Sequence, residues 1–299
     1  MTWTRVACLA LMLPLAAAAK NPFAGRWDLT MKTATETYPD WVEIAEDNAV
    51  TVQLRTGSIL PAKDVKLESG KLTLTPFQNL TWRLTAAGDR LSGTERRNGA
   101  AYATITGVRA PDLKRSEPKV WNAPEALFDG SSLKGWEPDD AAKSHWAARD
   151  GQLVNESHGA NLRTTRKFED FKLHLEFNCP DGGNSGLYLR GRYEIQIEYE
   201  PVGKNDPAHS LGSLYGRIAP SQILPKKPGQ WETYDITLVG RTLTVVRDGV
   251  TVIDRKEVAG ITGGALDSDE GRPGPFYLQG DHTGGLMFRN IRVSTPSSH

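Results

Sequence analysis

The sequence predicts an all-β protein, because strand-like runs recur along almost its whole length and few stretches show the 3.6-residue period of a helix. In many of these runs apolar and polar residues alternate, and turns rich in Gly, Asn and Asp separate them. Strands spaced about 8–12 residues apart are typical of β-sandwiches and jelly rolls. No G-x-S-x-G, H-E-x-x-H or phosphate-binding glycine motif occurs, so no generic catalytic signature points elsewhere.

The N-terminal stretch MTWTRVACLALMLPLAAAAK has a single Arg before an apolar run and a set of small residues. This order predicts a secretory signal peptide over residues 1–19, and hence export to the periplasm or the medium. The apolar run Val6–Ala19 is shorter than the roughly 20 residues that span a bilayer, and no later segment is apolar enough, so no membrane span is expected. If Cys8 is removed with the signal peptide, Cys179 has no partner for an internal disulfide.

The charge balance of the chain excludes some classes of partner. Lys plus Arg and Asp plus Glu are equal at 36 each, which gives a formal net charge of zero. A neutral chain lacks the basic excess that binds nucleic acid or an acidic membrane surface, so neither partner is expected. A neutral small molecule or a carbohydrate fits this balance better.

The length of 299 residues predicts one large domain or two smaller ones, and composition favours two. Residues 20–109 are predicted to form an accessory β-domain. Its segments FAGRWDL and LSGTER resemble small lipocalin-like barrels. Residues 110–125 are rich in Pro and charge and lack periodicity, which indicates a linker. Residues 126–296 are predicted to form the jelly-roll domain.

The strand signals are clearest in this second domain. FKLHLEFN places Phe171, Leu173, Leu175 and Phe177 on one face, as expected of a half-buried strand. TLTVVRDGVTVID predicts a hairpin, in which Asp248-Gly249 supplies the positive φ angles of a type I′ turn. The segments GPFYLQG and LMFRNIRV predict two further strands.

One predicted strand has an unusually polar face. In NSGLYLRGRYEIQIEYE, the two-residue period of a strand places Arg190, Arg192, Glu194, Gln196 and Glu198 on the same side. One interpretation is a solvated face with cross-strand ion pairs. The other is a ligand-binding face, because these side chains supply the paired donors and acceptors that sugar hydroxyls require.

Several motifs in unbroken order resemble the 3-keto-disaccharide hydrolase family, which is related in fold to concanavalin-like lectins and glucanases. The resemblance covers about residues 126–293. Tyr199 departs from it, since many members carry an acidic residue at that position. The motifs that carry the resemblance are LFDGSSLKGWE, GGNSGLYLRGRYEIQI, HSLGSLYGRIAP, PGQWETYDIT, GITGGALDSDEG and GPFYLQGDHTGGLMFRNI.

The resemblance implies cleavage of 3-keto-glycosides. A ketone at C3 acidifies the hydrogen on C2, so a base can remove that proton and expel the C1 oxygen, after which water adds back. The resemblance also implies a separate sugar 3-oxidoreductase that makes the ketone. Such a site needs a base, a group that stabilises the enolate, and an acid for the departing oxygen.

Candidate residues follow from the polar strand and the family motifs. The candidates for catalysis are Glu194, His282 and His209. The candidates for substrate binding are Arg190, Gln196, Tyr188, Tyr215 and Gln279.

A divalent cation is a further candidate component. Asp267 and Glu270, in ALDSDEG, are predicted to share it with Glu194 or a nearby His. Oxygen-rich ligands favour Ca²⁺, Mg²⁺ or Mn²⁺. The alternative for these carboxylates is a solvated loop.

Two other functions fit the same fold. A non-catalytic carbohydrate-binding module would need only the polar face and its aromatic residues. An ordinary endo-glucanase would use two nearby glutamates, but Glu194 and Glu198 lie about 13 Å apart along an ideal strand. A retaining pair needs roughly 5–5.5 Å, which disfavours this alternative.

Overall fold

The computed structural model describes residues 21–199 and 206–297, so the predicted signal peptide lies outside the described residues. The described chain is all-β, as predicted. Its helical elements are two short 3₁₀ turns, Ala141–Lys143 and Pro207–His209. Within the described ranges, no helix is long and apolar enough to cross a membrane.

The first sheet is an antiparallel meander in which strands that are neighbours in sequence pair, except the fourth and fifth, and the first strand also pairs with the ninth. This pairing leaves a gap only between the fourth and fifth strands, so the sheet is a nearly closed barrel, as predicted. The strands are β1 Gly25–Lys32, β2 Thr37–Ile44, β3 Val50–Gln53, β4 Leu60–Pro61, β5 Lys63–Glu68, β6 Lys71–Thr75, β7 Leu80–Ala87, β8 Arg90–Arg97 and β9 Ala100–Arg109.

The barrel encloses its own core. Alternate residues of each strand point inward, and Trp27, Leu29, Trp82 and Leu84 are fully buried. The irregular segment predicted from residue 110 follows β9, and the next strand begins at residue 125.

The rest of the chain forms two facing sheets with a shared core, and the predicted jelly-roll sandwich is thereby confirmed. One sheet has the order β12-β13-β22-β15-β18-β19-β20, with β10 also paired to β22, and the other has the order β11-β14-β21-β16-β17. The strands are β10 Glu125–Ala126, β11 Trp136–Pro138, β12 Trp146–Arg149, β13 Gln152–Asn155, β14 Leu162–Thr164, β15 Phe171–Asn178, β16 Asn184–Leu189, β17 Tyr193–Glu198, β18 Trp231–Val239, β19 Thr242–Arg247, β20 Val250–Glu257, β21 Tyr277–Leu278 and β22 Leu286–Ser294.

The strand patterns expected in this domain are confirmed. The apolar face of FKLHLEFN lies in the core as β15, with Phe171 and Phe177 fully buried. Asp248 and Gly249 connect β19 to β20 at φ angles of 49° and 77°. Both angles are positive, as a type I′ turn requires.

Candidate active site

The hairpin of β16 and β17 positions the candidate site. Its register pairs Tyr188 with Glu194 and Gly186 with Gln196. Tyr193, Ile195 and Ile197 face the sandwich core, so Glu194 and Gln196 point to the opposite side of the sheet.

The polar face of β17 is not a solvated surface. Glu194 and Gln196 are each only 4% exposed, because the segments around residues 210–218 and 260–264 cover them. Buried polar groups in a folded protein are normally hydrogen-bonded. With its amide turned so that Nε2 faces the carboxylate, Gln196 donates to Glu194 Oε1 and to the Ser185 carbonyl, both at 3.2 Å. The ligand-face interpretation therefore fits this strand better than the solvated one.

A pocket of about 260 Å³ opens above this face. It brings together most of the side chains that the sequence singled out, although they come from strands and loops far apart in the chain. The predicted residues that line it are Tyr188, Glu194, Gln196, Tyr215, Gln279 and His282.

Glu194 is the chemically distinctive group of the pocket. Burial raises the pKa of its carboxyl from 4.5 to about 8, while the nearby Tyr188 hydroxyl and the charge of His282 act in the opposite direction. A carboxyl with a pKa near the working pH is suited to proton transfer.

The backbone around Glu194 fixes its side chain in place. A Cβ atom on Gly186, the neighbour across the hairpin, would lie 2.2 Å from Glu194 Oε1, so only glycine leaves room for the carboxylate. The Glu194 N–H donates to Thr262 Oγ1 at 3.0 Å. The Tyr188 hydroxyl, on the same face, donates to the Gly263 carbonyl at 3.1 Å.

His282 lies at the rim of the pocket beside Asp281. Their side chains are hydrogen-bonded, with 3.0 Å between His282 Nδ1 and Asp281 Oδ1. This bond, opposed by partial burial, lowers the pKa of Asp281. Asn161 holds the segment from behind, since its Oδ1 accepts from the N–H groups of Gly280 at 2.7 Å and Asp281 at 3.3 Å. A carboxylate that orients an imidazole is a common arrangement for proton transfer.

His209 does not line the pocket itself. Its ring stacks on Tyr215, with 4.7 Å between the ring centres, and it is Tyr215 that faces the pocket. His209 Nε2 also makes a short hydrogen bond with Ser58 Oγ of the barrel. The structure thus places His209 behind a pocket residue.

The structure corrects the position of Arg190 and Arg192. Both lie in the turn between β16 and β17, where Arg190 has a φ of 53°, and not on the polar strand face. Arg190 is 2% exposed and donates to the Glu169 carbonyl at 2.6 Å and to Asp170 at 3.2 Å. It does not line the pocket, because these buried partners hold its guanidinium elsewhere. The simple strand period failed here because the hairpin turns at Arg190.

Asp267 and Glu270 do not converge on Glu194 either. Asp267 accepts from Arg192 Nε at 2.6 Å. Glu270 is fully buried against Arg241, with 2.8 Å between Arg241 Nη1 and Glu270 Oε1. Neither lines the pocket, so the predicted ligand set does not fit a shared cation. In the part of the chain that the structure describes, no group of three or more His, Cys, Asp or Glu side chains could hold a metal ion.

Other residues that line the pocket were not predicted from the sequence. Asp281 could have been identified because it directly precedes His282 in the sequence. Asn184 is the first residue of the strand β16. Gly263 and Gly264 come from a loop before β21, and Thr56 and Gly57 come from the barrel. Nothing in the sequence links the barrel to a pocket in the other domain.

The sandwich and its pocket define a class of protein, namely jelly rolls that carry a polar pocket on one sheet. The chain belongs to the family described as the 3-keto-alpha-glucoside-1,2-lyase-like domain, whose model matches residues 123–294. This finding confirms the resemblance identified over residues 126–293. The barrel, residues 25–109, lies outside the match.

Known proteins are similar to this chain over somewhat more than half of its length. A 3-keto-disaccharide hydrolase of Bacteroides thetaiotaomicron is 24% identical over an alignment of 221 residues, with a coverage of 56% of this chain and 76% of that protein. Two crystal structures from Parabacteroides distasonis, provisionally assigned as glycosyl hydrolases, are also similar. One is 29% identical with a TM-score of 0.48, covering 57% of this chain and 82% of the other. The second is 16% identical with a TM-score of 0.49, covering 58% and 94%.

Proposed function

We propose that this protein is an exported enzyme that cleaves 3-keto-glycosides, including 3-keto-disaccharides, with net hydrolysis. The observation that carries the proposal is Glu194, a buried carboxyl with a pKa of about 8 that faces a polar pocket. Membership of the 3-keto-alpha-glucoside-1,2-lyase-like family supports it, as does the similarity to a 3-keto-disaccharide hydrolase.

The first chemical step is removal of the C2 proton. The ketone at C3 acidifies this C–H bond, and the Glu194 carboxylate accepts the proton while the electron pair forms an enolate. Glu194 is well suited to this role, because a base with a pKa near neutrality combines reactivity with a useful ionised fraction. Gln196, which donates to the same carboxylate, holds it in position.

The second step is loss of the group at C1. The enolate electrons form the C1–C2 double bond, the C1–O bond breaks, and the departing oxygen takes a proton. We assign this proton to the His282 imidazolium, which the Asp281 carboxylate orients and stabilises at the rim of the pocket. Water then adds to C1, and a proton returns to C2, which completes the hydrolysis.

The remaining pocket residues bind the sugar ring. Tyr215 presents an aromatic face on which a pyranose ring can stack. The Gln279 side chain supplies both a donor and an acceptor for hydroxyl groups. Tyr188 faces Glu194 across the hairpin and completes this side of the pocket.

The ordinary endo-glucanase mechanism is less well supported. Glu198, the second glutamate on the face of β17, does not line the pocket and pairs with Lys226 at 3.1 Å. It is therefore poorly placed to act with Glu194 on one glycosidic bond.

The proposal includes two expectations about the surroundings of the enzyme. The signal peptide predicted over residues 1–19 would deliver it to the periplasm or the medium. A separate sugar 3-oxidoreductase would supply the 3-keto substrate, because the pocket chemistry uses the ketone but does not create it.

The proposal is tested by incubating the purified protein with native and 3-keto disaccharides, each with and without a chelator. We expect turnover of the 3-keto sugars only. Equal turnover of the native sugars would contradict the elimination mechanism, and binding of either sugar without turnover would favour a carbohydrate-binding module. The chelator arm tests the prediction that Ca²⁺, Mg²⁺ or Mn²⁺ takes part.

A further inference from the structure

One loop of the barrel reaches the pocket of the jelly roll. Residues 54–59 connect β3 to β4, and among them Thr56 and Gly57 line the pocket together with Glu194. The family match begins at residue 123, so this part of the wall comes from outside it.

Hydrogen bonds tie the loop to both sides of the pocket. The Gly264 N–H donates to the Arg55 carbonyl at 2.9 Å. Ser58 Oγ makes its short hydrogen bond with His209, whose ring supports Tyr215. The loop therefore contacts two separate segments of the jelly roll that form the pocket.

Glycines of the jelly roll make this approach close. A Cβ atom on Gly263 would lie 2.8 Å from the backbone nitrogen of Gly57, and one on Gly216 would lie 2.7 Å from Ser58 Cα. Real Cβ atoms do not come this near to other heavy atoms. The backbones touch without intervening side chains, so the loop closes this side of the pocket.

The last residue of β3, on the face of the strand turned away from the barrel core, fixes the shape of the loop. Gln53, which is fully buried, donates through Nε2 to the carbonyls of Leu54 and Gly57, each at 2.8 Å. A site residue is positioned accurately when the element beneath it is held by such supporting hydrogen bonds.

The barrel itself is anchored to the jelly roll near the loop. The guanidinium of Arg217 lies over the Trp41 ring of β2, 4.5 Å from its centre. A Cβ atom on Gly260 would fall 2.3 Å from Trp41 Nε1, so the indole packs directly on that backbone. Arg26 of β1 also pairs with Glu257 of β20.

We propose that the loop of residues 54–59 is a specificity-determining wall of the active site, contributed by the barrel. It closes one side of the pocket, so that the pocket takes the terminal 3-keto ring of a glycoside, and Ser58 acts as a positioning residue for His209. This inference rests on the proposed function.

The size of the pocket agrees with a single ring. Its volume of about 260 Å³ is below the roughly 300–1,000 Å³ of pockets that hold drug-sized ligands. A groove that binds a polysaccharide would have to continue past the pocket on the side that the loop occupies. The side chain of Thr56 is the part of the wall that a substitution can enlarge or reduce.

The test compares Thr56→Phe and Thr56→Ala with a matched control, Thr94→Phe, which alters an exposed threonine on β8 of the barrel. We expect Thr56→Phe to raise KM for 3-keto disaccharides about tenfold or more, the usual effect of adding bulk to a binding pocket, at an unchanged melting temperature. Thr56→Ala should improve kcat/KM for substrates with larger groups near the wall. Parental KM values in Thr56→Phe would overturn the proposal.

A second measurement needs no substrate. We expect Ser58→Ala to change the chemical shifts of the His209 ring in NMR spectra of the full chain, because the ring loses its hydrogen-bond partner, with the signal assigned through His209→Ala. Ser92→Ala, an exposed change on β8, should leave it unmoved. An unmoved His209 signal in Ser58→Ala would overturn the proposal that this loop forms a wall of the active site, even if the enzyme is active. A parent protein that is inactive on all 3-keto-glycosides would instead overturn the proposed function.

Discussion

Glu194 combines two opposing effects at a single residue. Its burial disfavours the charged carboxylate, and this raises its pKa to about 8. The same burial places it in a water-poor pocket, where a base removes a proton from carbon more effectively. Burial of the Glu194 carboxylate therefore both lowers the stability of the fold and suits this group to its proposed role as a base.

The pH dependence of turnover follows from this residue. If Glu194 is the base, it must be ionised. For a 3-keto-glycoside with an acidic phenol as leaving group, which does not depend on the His282 acid, kcat/KM should therefore rise with pH and level off above about pH 8. A rate profile measured from pH 5 to 9 checks this expectation. A profile that falls through pH 8 would assign Glu194 the role of an acid.

The substitution Glu194→Gln should separate activity from stability. We expect turnover to fall at least about 100-fold, because the amide cannot accept the C2 proton. The free energy of unfolding of this variant, relative to that of the parent, should instead increase as the pH rises. A folded-state pKa above the unfolded value of 4.5 stabilises the parent at low pH, and this contribution is lost as pH rises towards about 8.

The amide of Glu194→Gln does not titrate, so the variant does not lose stability in this way as the pH rises. Its free energy of unfolding relative to the parent should therefore increase by about a few kcal/mol between pH 5 and pH 8. Urea unfolding at the two pH values measures the difference. Glu68→Gln, a change at an exposed glutamate of the barrel, is the control and should show neither effect. A constant stability difference across this range would mean that Glu194 titrates normally.

The assignment of His282 as the acid makes a distinct prediction. In His282→Ala, cleavage should slow about 100-fold or more when the leaving group is a sugar, because its oxygen departs unprotonated. The loss should shrink to a few-fold for a 3-keto-glycoside with an acidic phenol as leaving group. Steady-state rates for the two substrates give the comparison, and equal losses would mean that His282 has another role.

At the scale of single elements, the hairpin of β16 and β17 does most to build the site. Its register sets Tyr188 and Gly186 opposite Glu194 and Gln196, so one hairpin supplies the proposed base, its hydrogen-bond partner and the space they occupy. Buried interactions at the turn, such as that of Arg190 with Asp170, hold the hairpin in place.

Gly186→Ala tests the need for that space. The added Cβ would fall 2.2 Å from Glu194 Oε1, so the carboxylate must move. We expect kcat to drop at least about tenfold, since small displacements of a catalytic group are costly. Gly271→Ala is the control, because its Cβ would meet only Pro111 Cγ at 3.5 Å, an ordinary contact. Parental kcat in Gly186→Ala would show that Glu194 need not hold this position.

At the scale of the whole molecule, barrel and jelly roll together form the pocket, and the reaction proposed for it can be followed in the product. Cleavage by elimination must remove the C2 proton to a base, where it can exchange with solvent before a proton returns, whereas direct displacement at C1 leaves it in place. Reaction of a 3-keto-glycoside in deuterated water should therefore put deuterium at C2 of the released keto-sugar, as mass spectrometry or NMR would detect.

A sample without enzyme controls for spontaneous exchange next to the ketone. A C2-deuterated substrate should also react more slowly if proton removal limits the rate. Rapid cleavage with C2 still fully protonated at early times, under conditions where bound protons exchange with solvent, would exclude elimination.

The sequence by itself determined the all-β class, the jelly roll, the turn at Asp248-Gly249 and much of the pocket. These features depend on local rules. Alternation of apolar and polar residues fixes which face of β15 or β17 is buried, and a turn type fixes its residues. Glu194, Gln196 and His282 could be found because each lies within a motif of the family or on a polar strand face.

Only the tertiary structure decided the rest, because it depends on contacts between residues distant in sequence. Arg190 follows the same period as Glu194, yet Asp170 and the Glu169 carbonyl hold it away from the pocket. Glu270 is in a loop suited to metal ligands, but Arg241 neutralises it in a buried pair. The loop of residues 54–59 is separated from Glu194 by more than a hundred residues, and only the docking of the barrel on the jelly roll brings the two together.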